Sequence, residues 1–311
     1  VRFALSVEQT SFAGSIDALL SHVDIAAAAR SWASGEPEAG LKIWRALADL
    51  GVTALGVPER FDGIGAEPID LAVAFERLGY HAVPGPWVET IAVLPALLDD
   101  EILTEVAAGE TLASIVFAPH VPYALDADVA QARLVVDGDT VRAFRPARRL
   151  SSVDRVRRLF EVVTGDQLGS ASDPAKAFDL GVLATSAQLL GAGQWLLDTS
   201  VAYAGHRRQY GKQIGQYQAI KHLLADVVTK LEFARPLLHA AAVTMTARDV
   251  SAAKVATGDA AYLAARTGLQ VHGAIGYTAE HPLGLRLTKV RALVAAWGGS
   301  AFHRDRVLAT L

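Results

Sequence analysis

Along the first hundred residues, apolar positions recur at helical spacing and are broken by turn residues. Trp44, Leu47, Ala48 and Leu50 to Val52 form an apolar face that stops at Val57-Pro58, and Phe61-Asp62-Gly63-Ile64-Gly65 reads as a loop. A helix is predicted to restart at Pro68, a first helical position, and to run through Leu71, Val73, Ala74, Phe75 and Leu78 to Gly79. Pro84, Gly85 and Pro86 interrupt the pattern again before Trp87. Between about 111 and 170 the periodicity changes. Residues 112–117 form a short, mostly apolar run, and residues 133–142 split into two strand-like halves around Asp137-Gly138, a hairpin signal. Residues 165–174 are polar and rich in Gly, Ser and Asp, so they read as a linker.

From Phe178 the helical spacing returns through Leu180, Leu183, Ala184, Ala187, Leu190 and Leu197. A second long helix carries Ile220, Leu223, Leu224, Val227, Val228, Leu231 and Phe233, and Pro236 is expected to kink or end it. An alanine-rich helix is predicted over 251–269, ending at 270–276, and two more over 283–296 and 304–311 on either side of Gly298-Gly299. The fold class is therefore mainly α, with an N-terminal helical domain over 1–110, a small β domain over 111–177 and a C-terminal bundle of the four-helix type over 178–311.

Composition narrows the function. With 311 residues, 51% of them hydrophobic and 20% charged, the chain can bury a sizeable core. A net charge of -4 marks neither a nucleic-acid partner nor a membrane-surface binder. The absence of cysteine removes disulfides, thiolate metal sites and a cysteine nucleophile together, and fits a reducing cytoplasm. No apolar run approaches the roughly 20 residues of a membrane span, and no basic-then-apolar leader is present, so a cytoplasmic location is expected. HExxH, EF-hand, P-loop and GxSxG patterns are missing, and the Gly63/Gly65 loop lacks the strand and helix context of a dinucleotide fingerprint; neither a metal nor a Rossmann cofactor is predicted.

The richest chemistry lies at 205–220, where Arg207-Arg208, a glycine turn and spaced glutamines separate two helical segments. A guanidinium offers a planar fork of donors suited to phosphate, and the start of the next helix adds unpaired N–H groups at a positive dipole end. A phosphorylated ligand is expected at this corner.

Two C-terminal segments, RRQYGKQIGQYQ at 207–218 and QVHGAIGYTAEHP at 270–282, together with WRALADLGVTALGVPERFDGIG at 44–65 and AFERLGYHAVPGPWV at 74–88, resemble the acyl-CoA dehydrogenase family over most of the chain. The resemblance implies FAD bound across a subunit interface, with the ADP half held by these C-terminal motifs. Carried over, Arg207 faces the pyrophosphate with Gln209 and Tyr210 beside it, Tyr217 and Gln218 contact the cofactor from the next helix, and Gln270, Val271, His272, Gly273 and Ala274 pass under the adenosine end. Glycine at 273 would let the backbone approach closely. His272 reads first as a packed or interface histidine, and His206 and His222 as surface residues.

Members of the family oxidise an acyl-CoA thioester between Cα and Cβ and need a carboxylate to take the α-proton. The usual base position corresponds here to Gly298, in Trp297-Gly298-Gly299-Ser300, and the second position used in the family corresponds to Gly181. Asp179, two residues away and rotated roughly 200° on a helix, is a weak candidate base, and Glu280 a second. The middle domain is also reduced: Phe117 to Asp126 stands where the family carries its flavin-ring motifs. The resemblance thus implies the non-catalytic type of subunit in a heteromeric α2β2 actinobacterial acyl-CoA dehydrogenase, in which a second subunit supplies the carboxylate. A steroid-derived acyl-CoA is the implied substrate and electron transfer flavoprotein the implied acceptor. The alternatives are a homotetrameric dehydrogenase with a displaced base and a flavin-free structural or regulatory partner.

Overall fold

The computed structural model describes residues 4–278 and 281–310; the backbone of Tyr277 is included but not its side chain. Three helices open the chain: α1 (Val7–Ser21), α2 (Ile25–Ser34) and α3 (Glu38–Asp49). Ser6 and Gln9 close a reciprocal capping box at the start of α1, and Asp24 accepts from the Ala27 amide to cap α2. Helix α4 (Pro68–His81) begins at the predicted proline. A π-helical turn (Val88–Val93) then leads into the short helices α5 (Leu94–Leu97) and α6 (Ile102–Ala107). Indole rings anchor this region. Trp44 stacks on Trp87 at 3.9 Å and donates to the Gly109 carbonyl, while the Trp32 indole N–H reaches Asp126 at 3.0 Å.

The middle of the chain is one five-stranded sheet: β1 (Ala113–Phe117), β2 (Ala124–Leu125), β3 (Ala132–Asp137), β4 (Thr140–Leu150) and β5 (Leu159–Ser170), in the order β1-β3-β4-β5-β2. Among the described residues only β1 and β3 pair in parallel; β3 and β4 form the predicted hairpin, with Asp137 opposite Thr140 and Gly138-Asp139 at the turn. Residues 165–170, expected as linker, are instead the exposed second half of β5, hydrogen-bonded to β4. Both faces of that half-strand meet solvent, so no apolar alternation marks it.

The remainder is a helix bundle built around α7 (Pro174–His206), with α8 (Gln218–Thr244), α9 (Ala247–His272), α10 (Leu283–Ala295) and α11 (Ser300–Leu308). Helix α7 is the centre of the molecule. Leu183, Leu189, Leu190 and Leu196 are buried against α4, α8 and α9, and so many of its faces are covered that it carries almost no amphipathic stripe. Among the described residues it is also the one helix long and apolar enough to cross a membrane, but 89% of its most apolar stretch is buried inside the protein, as in a core helix. Pro236 does not end α8, which continues to Thr244.

Candidate functional site

Two elements carry the corner at 205–220, where the sequence leads one to expect a phosphorylated ligand. Helix α7 ends at His206, and the chain turns into a two-stranded ribbon, β6 (Arg208–Gln209) and β7 (Lys212–Gln213), through Tyr210-Gly211, both at positive φ. That pair of left-handed residues is the geometry of a tight hairpin turn. Ile214 then begins a short 3-10 turn, its N–H bonded to the Arg207 carbonyl at 2.9 Å, and α8 starts at Gln218 with no side-chain cap. Arg207 and Arg208 are exposed and, among the described residues, make no ion pair or side-chain hydrogen bond. They stand beside the uncapped N-terminus of a 27-residue helix, a positive dipole end.

The second signature meets the first in space. Val271, at the end of α9, is buried with Ala204 and Ile214, and Tyr203, Tyr217, Ile220 and Leu224 pack against that cluster. His272 is buried, stacks on Tyr203 at 4.4 Å and places Nδ1 2.8 Å from the Gly268 carbonyl. Burial pushes its pKa down, so the ring is neutral at pH 7 with Nδ1 as the donor. That leaves Nε2 as a buried acceptor without a partner among the described residues. Gly273 closes the helix at φ 62°, ψ -138°. A side chain is excluded there by backbone conformation rather than by crowding, since a Cβ would meet nothing within 4 Å. Gln270, Gly273 and Ala274 are exposed.

Not every predicted contact residue has its side chain free. The Tyr217 hydroxyl donates to the Gln209 carbonyl at 3.1 Å and its ring receives Lys212 Nζ at 4.2 Å, so this side chain braces the ribbon. Gln209 and Gln218 are exposed, and Tyr210 is 94% exposed. His206 and His222 lie at the surface.

An ADP group fits this surface: unpaired guanidiniums and helix amides suit its pyrophosphate, and the open Gly273-Ala274 backbone and the orphaned His272 acceptor lie within the second signature.

The catalytic half is different. Trp297 sits at the end of α10 with φ 55° and is 1% exposed, an unusual conformation for a bulky residue. Its ring fills the space beside Gly181, where a Cβ would lie 2.6 Å from Trp297 Cε3. A Cβ at Gly298 would lie 2.6 Å from Phe302 and 2.7 Å from His303 Nε2. Both glycines are therefore packed shut. Phe117 and Phe178 complete an aromatic wall against Trp297 at 6.2 and 5.8 Å.

Of the nearby carboxylates, one is committed to a cation. Asp179 is buried and lies 2.8 Å from Arg306 on α11; burial raises its pKa and the guanidinium works against that rise. Glu280 lies outside the described residues. Glu89, in the π-helical turn, is a carboxylate that sequence reasoning missed, although a lone acid within an apolar run was a signal. It is 1% exposed with Oε2 buried and without a hydrogen-bond partner among the described residues; burial raises its pKa, while the Arg157 charge lowers it. A cavity of about 510 Å³ lies between the sheet loops and α10, bounded by His120, Tyr123, Arg157, Arg291 and Trp297, and no Asp or Glu lines it.

Lys254 of α9 holds the turn that would carry the base. Its Nζ donates to the carbonyls of Val294 at 3.1 Å and Gly298 at 3.2 Å, and burial brings its pKa down to about 7. Folded, Lys254 gives up its proton near pH 7; unfolded, it does so near 10.5. The unfolded chain thus binds more protons between these values, and stability rises with pH across that window and is lost as pH falls through 7. Buried Lys289, also shifted down, acts in the same sense. Urea unfolding at pH 7 and pH 9 should show the higher stability at pH 9, and Lys254→Met should flatten the difference.

Comparison with known proteins agrees with this architecture. Residues 6–99 match the acyl-CoA dehydrogenase N-terminal domain and residues 173–311 match the acyl-CoA dehydrogenase C-terminal domain. The acyl-CoA dehydrogenase IpdE2 of Mycolicibacterium smegmatis is 33% identical over 249 residues, covering 78% of this chain and 79% of the relative. The chain belongs to the acyl-CoA dehydrogenase family. Members are FAD-dependent oxidoreductases acting on CH–CH bonds, and FAD is the cofactor. Two solved structures share the fold at low identity. The ChsE4-ChsE5 complex from Mycobacterium tuberculosis aligns at a TM-score of 0.82 with 18% identity, over 99% of this chain and 98% of the other. The Tcur3481-Tcur3483 steroid ACAD aligns at 0.81 with 20% identity, over 97% of each.

Proposed function

We propose that this chain is the ADP-holding subunit of a heteromeric, flavin-dependent acyl-CoA dehydrogenase, and that a partner subunit supplies the carboxylate that removes the α-proton.

 The observation that carries this reading is the closure of both base positions: Gly181 and Gly298 are packed against Trp297, Phe302 and His303, while Arg207, Arg208 and the uncapped start of α8 remain open. Within the chain's own share of the work, the exposed guanidiniums and helix amides bind and orient a pyrophosphate, the neutral His272 keeps an acceptor at the adenosine side, and the aromatic wall excludes water and substrate from the closed half. Hydride acceptance from the acyl β-carbon is the chemistry that FAD supplies when bound.

Assembly as α2β2 is supported by α8, where Val228, Phe233 (70% exposed), Leu237 and Val243 lie open, apolar side chains spread over about half of the helix circumference. The fold shared with the ChsE4-ChsE5 complex, a two-component assembly by name, supports it further. A steroid-derived acyl-CoA is the substrate we favour, on the likeness to a structure named as a steroid ACAD, and electron transfer flavoprotein is the acceptor usual for the family.

The rival reading places a displaced base in this chain, and Asp179 is its best residue. In the assembled enzyme, Asp179→Asn is expected to leave kcat within about twofold, since Arg306 already engages that carboxylate. A fall of roughly 100-fold or more at unchanged melting temperature, the usual cost of removing a general base, would return the base to this chain.

A further inference from the structure

The end of β4 and the loop that leads to β5 carry a concentration of positive charge that the flavin corner does not use. Arg148, Arg149, Arg155, Arg157 and Arg158 fall within eleven positions of a chain whose net charge is -4. Arg148 is spent on Glu161, 2.7 Å away on the neighbouring strand. The other four, with Ser151 and Ser152, line a concavity of about 490 Å³ that is closed at one side by Ala33 at the end of α2, and no acidic side chain lines it. That volume lies within the roughly 300–1,000 Å³ of ordinary small-molecule sites.

Arg158 is paired with Asp126 and Asp128, whereas Arg149, Arg155 and Arg157 make no ion pair among the described residues. Arg149 Nη2 donates to the Ala33 carbonyl at 2.8 Å, which fixes the side chain and leaves its charge unpaired. Arg158 is fully buried, 4.8 Å over the Trp32 ring, with Nε 3.2 Å from Asp126 and Nη1 2.9 Å from Asp128, yet its Nη2 is buried without a hydrogen-bond partner. The side chains of Arg155 and Arg157 make no hydrogen bond among the described residues, while the Arg157 amide donates to the Asp154 carbonyl at 3.0 Å. Guanidiniums gathered in one concavity repel one another and raise its positive potential, a cost offset when a multiply charged anion enters. Planar forks with serine hydroxyls beside them match phosphoryl oxygens in geometry and charge.

We propose that this cleft binds a nucleotide through two or more phosphoryl groups. The phosphates come either from the nucleotide end of a CoA ester or from a free nucleotide; the recognition chemistry is the same. The site stands apart from the Arg207 corner in sequence and in structural element, and its test does not depend on flavin binding.

Titration calorimetry of the full chain at low ionic strength, with adenosine 3′,5′-bisphosphate, CoA and inorganic pyrophosphate as separate ligands, tests the proposal. All three are expected to bind. Arg155→Gln and Arg157→Gln should each weaken the bisphosphate by roughly tenfold or more, Ser152→Asp should abolish its binding, and Arg207→Gln should leave it unchanged. CoA binding more tightly than the bisphosphate assigns the site to a CoA ester, and equal affinity assigns it to free nucleotides; either supports the proposal. Should Arg157→Gln lower the melting temperature, the exposed Arg155 carries the test alone. No heat with any of the three ligands, or loss of binding in Arg207→Gln with full binding in Arg155→Gln, would overturn it. So would displacement of the bisphosphate by a polyglutamate peptide at lower concentration, which would make the cleft a docking surface for an acidic protein.

Discussion

Replacing Arg207 by Gln in the assembled enzyme is expected to weaken FAD binding by roughly 10- to 100-fold, the value of one charge-assisted contact to a phosphate, about 1.5–3 kcal/mol. The exposed guanidinium has no partner among the described residues, so its removal leaves no buried group unsatisfied and should not change folding. Arg207 follows directly on α7, and its carbonyl is fixed by the Ile214 amide, so its backbone is set before any ligand arrives. The measurement is flavin absorbance retained per complex after gel filtration, with a fluorescence titration for affinity. Lysine at the same position should recover part of the loss, because it restores the charge without the planar fork. Unchanged flavin content in Arg207→Gln would remove the ADP half from this corner.

Putting a carboxylate back at either closed position is expected to cost stability without creating activity in the chain alone. In Gly181→Glu the new Cβ would lie 2.6 Å from the Trp297 ring, inside a core with no room to give. Overpacking of this kind costs about 1–3 kcal/mol. Gly298→Glu meets Phe302 and His303 and also forces a side chain onto a residue at φ 97°, adding about 1–2 kcal/mol. Lys254 donates to the Gly298 carbonyl, so a shift of that turn also disturbs a buried cation. Chemical denaturation should report a lower midpoint for both variants at unchanged slope, with Gly298→Glu lower than wild type by the larger amount. A stable Gly298→Glu chain that dehydrogenates an acyl-CoA unaided would show that the pocket is open after all.

Much of this was legible in the residues. The Asp137-Gly138 hairpin, the start of α4 at Pro68 and the three long bundle helices follow from turn chemistry and apolar spacing, which are local. What was not legible depends on contacts distant in sequence. The second half of β5 is a strand only because β4 pairs with it, and exposure on both faces erases the alternation that would announce it. Pro236 was expected to bend or stop α8, yet the helix runs on for eight residues, because packing of Leu238, Ala241 and Ala242 into the core outweighs one lost hydrogen bond. The two glycine base positions could be read from spacing, but their closure by Trp297, Phe302 and His303 could not. Glu89 and the arginine cleft escaped because neither falls in a familiar motif; each acquires meaning only when the sheet loop, α2 and α10 are brought together.

The division of labour is tested most directly by purifying this chain alone and together with its candidate partner subunit, and measuring flavin content and acyl-CoA oxidation in each preparation. The account predicts no turnover and little retained FAD for the chain alone, and a yellow, active complex for the pair. Full FAD occupancy with turnover by the lone chain would contradict it.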